Sequence, residues 1–134
     1  MSLFVDTSVW SLAWRRDATS SPEVELLSKA LEEGELVFTT GLVLQELLQG
    51  FRGAKAHDQI LEHFGKLPYI APDRHDHVDA AGLRNACRAR GLQIGTIDAL
   101  IAQLCIRYEM SLLTTDPDFV GVAAHFPLVV IGAS

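Results

Sequence analysis

The sequence holds little that would staple, anchor or export a chain. Only two cysteines, Cys87 and Cys105, occur among its 134 residues. Both fall on the apolar faces of predicted helices, so they read as reduced core thiols of a cytoplasmic protein and not as a disulfide framework. No uninterrupted apolar run reaches the roughly 18 residues of a membrane span. No basic region followed by an apolar stretch opens the chain, so no secretory signal is expected. Positive charge is also scarce: lysine and arginine number 11 against 17 aspartates and glutamates, a formal net charge of -6. That balance argues against binding nucleic acid by bulk attraction. It leaves room for a nucleic-acid enzyme whose acidic site is neutralised by metal. Nucleophile-elbow and Walker signatures are absent, as are internal repeats, low-complexity segments and linkers.

What is present is apolar and regular. Hydrophobic residues make up 49% of the chain, enough for one domain over residues 1–134 with a sizeable core. Ser2 to Val5 reads as a short buried strand and Ser8 to Trp14 as a short helix. Ser21 caps a helix with Pro22 at its first position; Val24, Leu27 and Leu31 recur at helical spacing and Gly34 suits the exit. Leu36 to Thr39 is a second strand, followed by helices over Gly41 to Arg52 and Lys55 to Lys66. Tyr69 to Ala71 is a weak third strand after Pro68. Helices over Asp76 to Arg90 and Thr96 to Glu109 precede a strand from Ser111 to Thr115. A turn or short helix then leads to a last strand, Leu128 to Ile131. Loops are expected at Ala18 to Ser21 and Gly50 to Ala54. Short apolar strands alternating with helices predict an α/β fold: a parallel sheet covered by helices on both faces.

Four carboxylates stand out against this pattern. Two strands end in acids, Leu3-Phe4-Val5-Asp6 and Leu112-Leu113-Thr114-Thr115-Asp116. In a parallel sheet both would project at the C-terminal rim, where sites form. Helix capping is the simpler role for either one. Asp98 shares a stripe with Ile101, Ala102 and Cys105 that should be buried; Thr96 as cap and first-turn dipole compensation would be its ordinary explanation. Glu46 lies among Val43, Leu44, Leu47 and Leu48, one turn into the helix after the second strand, where it could equally be a solvated position. Four acids from four segments can therefore meet at one rim. Unpaired they would repel. A hard divalent cation, Mg²⁺ above all, removes the conflict and suits hydrolysis of a phosphodiester by water. Thr7, Ser8, Thr96 and Thr115 would be the hydroxyls that orient the carboxylates or touch phosphate.

Other features are weaker. Asp73, His75, Asp76, His77 and Asp79 cluster, but the two histidines are not on one helical face; a solvated helix start is expected. Arg15, Arg84 and Arg88 are candidates for RNA phosphate, with a solvated surface or ion pairs as the alternative. Trp10 and Trp14 are one helical turn apart, placed for core or dimer packing or for stacking on bases. Leu42, Leu47, Leu48 and Phe51 offer more apolar surface than one buried helix face needs.

The stretches FVDTSVW, VLQELLQGFR, IGTIDALIAQLC and LLTTDPDF together give the chain a family likeness. It resembles PIN-domain ribonucleases, and within them VapC-type toxins of toxin–antitoxin systems. The resemblance implies a PIN-like three-layer α/β/α sandwich around a central five-stranded parallel sheet. It implies Mg²⁺- or Mn²⁺-dependent endoribonuclease activity on RNA, homodimers, higher toxin–antitoxin assemblies, and neutralisation by a VapB-type antitoxin. Asp6, Glu46, Asp98 and Asp116 fall on the family's four acids, and Asp118 on a position often acidic and a further candidate ligand. Thr7 and Thr115 match supporting hydroxyls. The excess apolar surface around Leu42, Leu47, Leu48 and Phe51 would then be part of an antitoxin groove. An inactive PIN-like scaffold is the alternative, disfavoured by the presence of all four acids. A phospho-acceptor receiver would need adjacent acids after the first strand and a late lysine. Here Thr7 follows Asp6, and no lysine follows Lys66.

Overall fold

A computed structural model describes residues 2–15 and 21–132. In chain order the elements are β1 (Ser2–Val5), α1 (Thr7–Trp14), α2 (Pro22–Glu32), β2 (Leu36–Thr40), α3 (Gly41–Gly50), α4 (Ala54–Phe64), β3 (Tyr69–Ile70), α5 (Arg74–Ala89), α6 (Thr96–Arg107), β4 (Ser111–Leu113), α7 (Asp118–His125) and β5 (Val129–Ile131). Of the loop expected at Ala18 to Ser21, residues 18–20 lie outside the described residues. No helix among the described residues is long and apolar enough to cross a membrane.

The sheet is parallel throughout, in the order β3-β2-β1-β4-β5. Leu3, Phe4 and Val5 are buried completely, as a central strand covered on both faces requires. Phe4 aligns with Phe38 on one side and Leu112 on the other. Helix α1 packs on α2 and α3, and α5 on α6, giving the three-layer α/β/α arrangement. From β1 the chain steps outward to β2 and β3, then crosses back to lay β4 on β1's other side. Strand order therefore reverses between β1 and β4, and a crevice opens beyond their C-terminal ends.

Several expectations change in contact with the packing. Trp10 is buried, with Trp14, His63 and Phe64 around it at ring separations of 4.9–5.9 Å. It is a core residue, so stacking on bases is excluded for it. Leu47 is also fully buried and cannot face a partner, whereas Leu42, Leu48 and Phe51 are only partly covered. Cys87 and Cys105 are buried free thiols, and burial raises the pKa of both. The Nε2–H of His57 serves the carbonyls of Leu48 (2.9 Å) and Phe51 (2.6 Å) and closes the C-terminal end of α3.

The acidic start of α5 is not solvated as a whole. His75, His77 and Asp79 are exposed, but Asp76 is 1% exposed. Asp73 and Asp76 form a reciprocal capping box, so the helix begins two residues before the predicted Asp76. Nη1 of Arg107, at the end of α6, donates to Asp76 Oδ1 at 2.6 Å. That bond sets the start of α5 beside the end of α6, and the two helices run antiparallel. Asp76→Ala removes half of the capping box and the short bond to Arg107, leaving that guanidinium its longer 3.5 Å contact with Asp73. Urea unfolding should show a loss of about 2 kcal/mol; an unchanged midpoint would mean the box does not hold the helix pair.

Candidate active site

Asp6 ends the central strand, with its amide still bonded to the Leu113 carbonyl at 2.9 Å. Its side chain is 7% exposed and accepts three hydrogen bonds. Oδ1 takes the Thr7 amide at 2.8 Å, and Oδ2 takes the hydroxyls of Ser8 (2.9 Å) and Thr114 (2.8 Å). Each hydroxyl also accepts from an amide: Ser8 Oγ from Thr115, Thr114 Oγ1 from Asp116, at 3.1 and 3.0 Å. Both hydroxyl protons are committed to Asp6, so the 3.5 Å approach of Ser8 to Thr114 is a contact without a donor. Asp6 is at once the N-cap of α1 and the fixed centre of this network.

Neighbouring acids arrive from three directions. Glu46, half-buried on α3, accepts the Thr7 hydroxyl at 2.9 Å, so adjacent residues of one turn orient Asp6 and Glu46. Asp116 follows β4, and its Oδ1 accepts the Asp118 amide at 2.9 Å, which shapes the entry to α7. Asp98 is the third residue of α6. Burial, then the charges of Asp6, Asp116, Glu46 and Asp118, push its carboxyl from 3.8 up to about 6. Burial also raises Asp6, against the lowering effect of its three donors. Among the described residues no lysine or arginine pairs with these five acids.

The four predicted hydroxyls are placed differently. Thr7 and Ser8 contact Glu46 and Asp6. Thr96 is exposed and does not cap α6; the N-cap is Gly95, with no side-chain bond. Thr115 contributes its backbone amide, and the hydroxyl that reaches Asp6 is that of Thr114, the residue before it. Thr114 was not singled out because its position depends on register: Val5 aligns with Leu113, which sets Thr114 beside Asp6. Of the arginines, Arg84 and Arg88 line a cleft with residues 92–95, the segment that leads into α6. Arg15 is the C-cap of α1, at the opposite end of that helix from Asp6 and about 13 Å along it at 1.5 Å per residue.

The donor set fits a hard divalent cation: carboxylate oxygens, crowded, without a protein counter-charge. Among the described residues no three His, Cys, Asp or Glu side chains form a ready-made metal site. Mg²⁺ does not require one, because it keeps several waters and binds through few carboxylates.

A family model described as the PIN domain matches residues 3–124. No curated protein matches the sequence. Among solved structures, VapBC2 from Rickettsia felis, bound to a DNA fragment from their promoter, is 20% identical over 98% of each chain, with a TM-score of 0.78. FitAcB from Neisseria gonorrhoeae is 19% identical over 97% of this chain and 96% of that chain, with a TM-score of 0.71. VapC20 from Mycobacterium tuberculosis, a sarcin-ricin loop cleaving toxin, is 18% identical over 93% and 96%, with a TM-score of 0.69. At these identities what is shared is the fold.

The crowding has a pH signature. Asp98 ionises near 3.8 in the unfolded chain and near 6 in the folded one. Below the first value both states are protonated and nothing is lost. As pH rises through the window the unfolded chain gains charge first, so stability falls and stays reduced above pH 6. In EDTA, Asp98→Asn should melt with the wild type near pH 4 and a few degrees above it at pH 7.5. Equal melting at pH 7.5 would show that the acids do not crowd Asp98.

Proposed function

The chain belongs to the PIN domain family, and from that premise we propose that it is a metal-dependent endoribonuclease toxin of the VapC type. It hydrolyses RNA phosphodiester bonds and is held in check by a VapB-type antitoxin. The observation that carries the reading is geometric: Thr7 ties Glu46 to the turn after Asp6, Thr114 ties Asp6 to the turn that carries Asp116 and Asp118, and these acids and Asp98 crowd one another with no described side-chain cation paired to them. A stable fold keeps such a site when a cation completes it.

Asp6, Glu46, Asp98 and Asp116 would hold Mg²⁺ or Mn²⁺, with Asp118 at the margin. The bound ion supplies a water of lowered pKa and positive charge against the phosphodiester. The chain's own contribution is orientation. Ser8 and Thr114 hold Oδ2 of Asp6, the Thr7 amide holds Oδ1, and the Thr7 hydroxyl fixes Glu46. Neither carboxylate has to reorganise when the site is filled.

The names of the similar structures support a protein partner, since VapBC2 and FitAcB are complexes. The partly covered Leu42, Leu48 and Phe51 remain the surface for an antitoxin segment. Homodimers, and larger toxin–antitoxin assemblies in the cytoplasm, complete the proposal.

The test is Asp6→Asn in purified protein, with circular dichroism to verify the fold. Cleavage of cellular RNA in Mg²⁺ or Mn²⁺ should fall at least about 100-fold, and EDTA should abolish it in the wild type. Full cleavage by the variant sinks the assignment. No thermal shift with millimolar Mn²⁺ would favour a scaffold that binds without catalysis. Thr114→Val, which keeps the shape and removes one donor from Asp6, should weaken Mn²⁺ binding by about 10-fold or more in a calorimetric titration; unaltered affinity would make that bond purely structural.

A further inference from the structure

Because α5 and α6 run antiparallel, the end of α5 lies beside the start of α6, the turn that carries Asp98. The corner between them forms one wall of a cleft of about 430 Å³, lined by Arg84, Arg88, Leu92, Gln93, Ile94 and Gly95. No acid lines it, in a chain of net charge -6 and within a few residues of Asp98.

The two arginines are placed differently. Arg84 is half-buried, and its Nε–H donates to the Ile94 carbonyl at 2.9 Å. One donor of the fork is thus spent on the corner, and the plane of the guanidinium is set by it. Its two Nη groups make no hydrogen bond or ion pair among the described residues. Arg88, one turn later on the same helix face, is exposed and has no partner among them either. Neither arginine neutralises the acids nearby. An oriented fork and a second free cation match a phosphate diester, which a guanidinium can take through two parallel N–H donors. Leu92 and Ile94 add an apolar wall of the kind that packs on a sugar or base.

We infer that this cleft binds a phosphate of the RNA strand next to the bond that is cut, with Arg84 setting its orientation and Arg88 adding charge. The inference rests on the RNA-cleaving reading of the acid cluster. It makes Arg84 and Arg88 positioning residues that fix the register of the strand over the acids.

The experiment uses the full chain and a short fluorescein-labelled single-stranded RNA of random sequence. Affinity is read by anisotropy in EDTA as a function of salt, and cleavage of the same RNA in Mn²⁺. Arg88→Gln removes only an exposed charge, so its melting temperature serves as the folding control. It should weaken binding about tenfold and lower the log–log salt slope by about 1. Arg84→Lys keeps charge but not the fork and should weaken binding by a similar factor. In both variants KM for cleavage should rise by the same factor, with kcat within about twofold. A wild type that cleaves RNA, beside variants with unchanged affinity, slope and KM, overturns the cleft. A loss of kcat alone does so too, as does a loss of antitoxin affinity without any change toward RNA. A wild type that binds RNA with the expected salt slope, lowered in Arg88→Gln, but never cleaves it would overturn the nuclease reading and leave the cleft standing.

Discussion

The molecule is organised around one buried carboxylate. Asp6 ends the central strand at the point where strand order reverses, in surroundings that disfavour its charge. Three donors compensate, and two of them are hydroxyls that also accept from the backbone after β4. The network therefore binds β1, α1 and the β4 loop to one another. Removing any donor would leave part of a buried acid unsatisfied, which costs more than the bond itself contributes. The position of Glu46 follows from the same turn, through Thr7.

The core and the crevice differ in how charge is treated. The core is ordinary: fully apolar central strands, helices on both faces and two inert thiols. The crevice is not, because five carboxylates share it without a described basic partner. Basic residues elsewhere are used structurally, as in the Arg107 bond to Asp76 that aligns α5 with α6. That alignment decides where the α5–α6 corner falls, and with it the place of Arg84 and Arg88 against the segment that leads into α6. A helix-end ion pair remote from the acids thus bears on the geometry beside them.

Much of the fold was legible in local pattern. Apolar runs of strand length alternated with amphipathic helices, and Ser21-Pro22 marked a helix start that the structure retains, with Ser21 accepting the Val24 amide. Failures came where side-chain partners lie far apart in the chain. Asp76 looked solvated because its partner, Arg107, is 31 residues away. The Trp10–Trp14 pair left core and surface roles open until α4 brought His63 and Phe64 against it. Leu47 and Leu48 are neighbours in sequence, yet only Leu47 is fully buried, a distinction made by which way the helix faces the sheet.

The sequence by itself determined the acids and their segments: a carboxylate after each of two strands and two more on helices, three with a cap or helix-dipole role to excuse them and Glu46 with a solvated position. It could not show whether those excuses were the whole account. Only the tertiary structure decided that, since the charge felt at Asp98 comes from residues up to 92 positions away: Asp6 and Asp116 are set side by side by the parallel register of β1 and β4, and Glu46 and Asp98 are carried to them on helices. Register also chose Thr114 over Thr115, because in a strand a shift of one residue turns a side chain to the other face. Propensity is a property of short windows, whereas electrostatic crowding depends on distance in space.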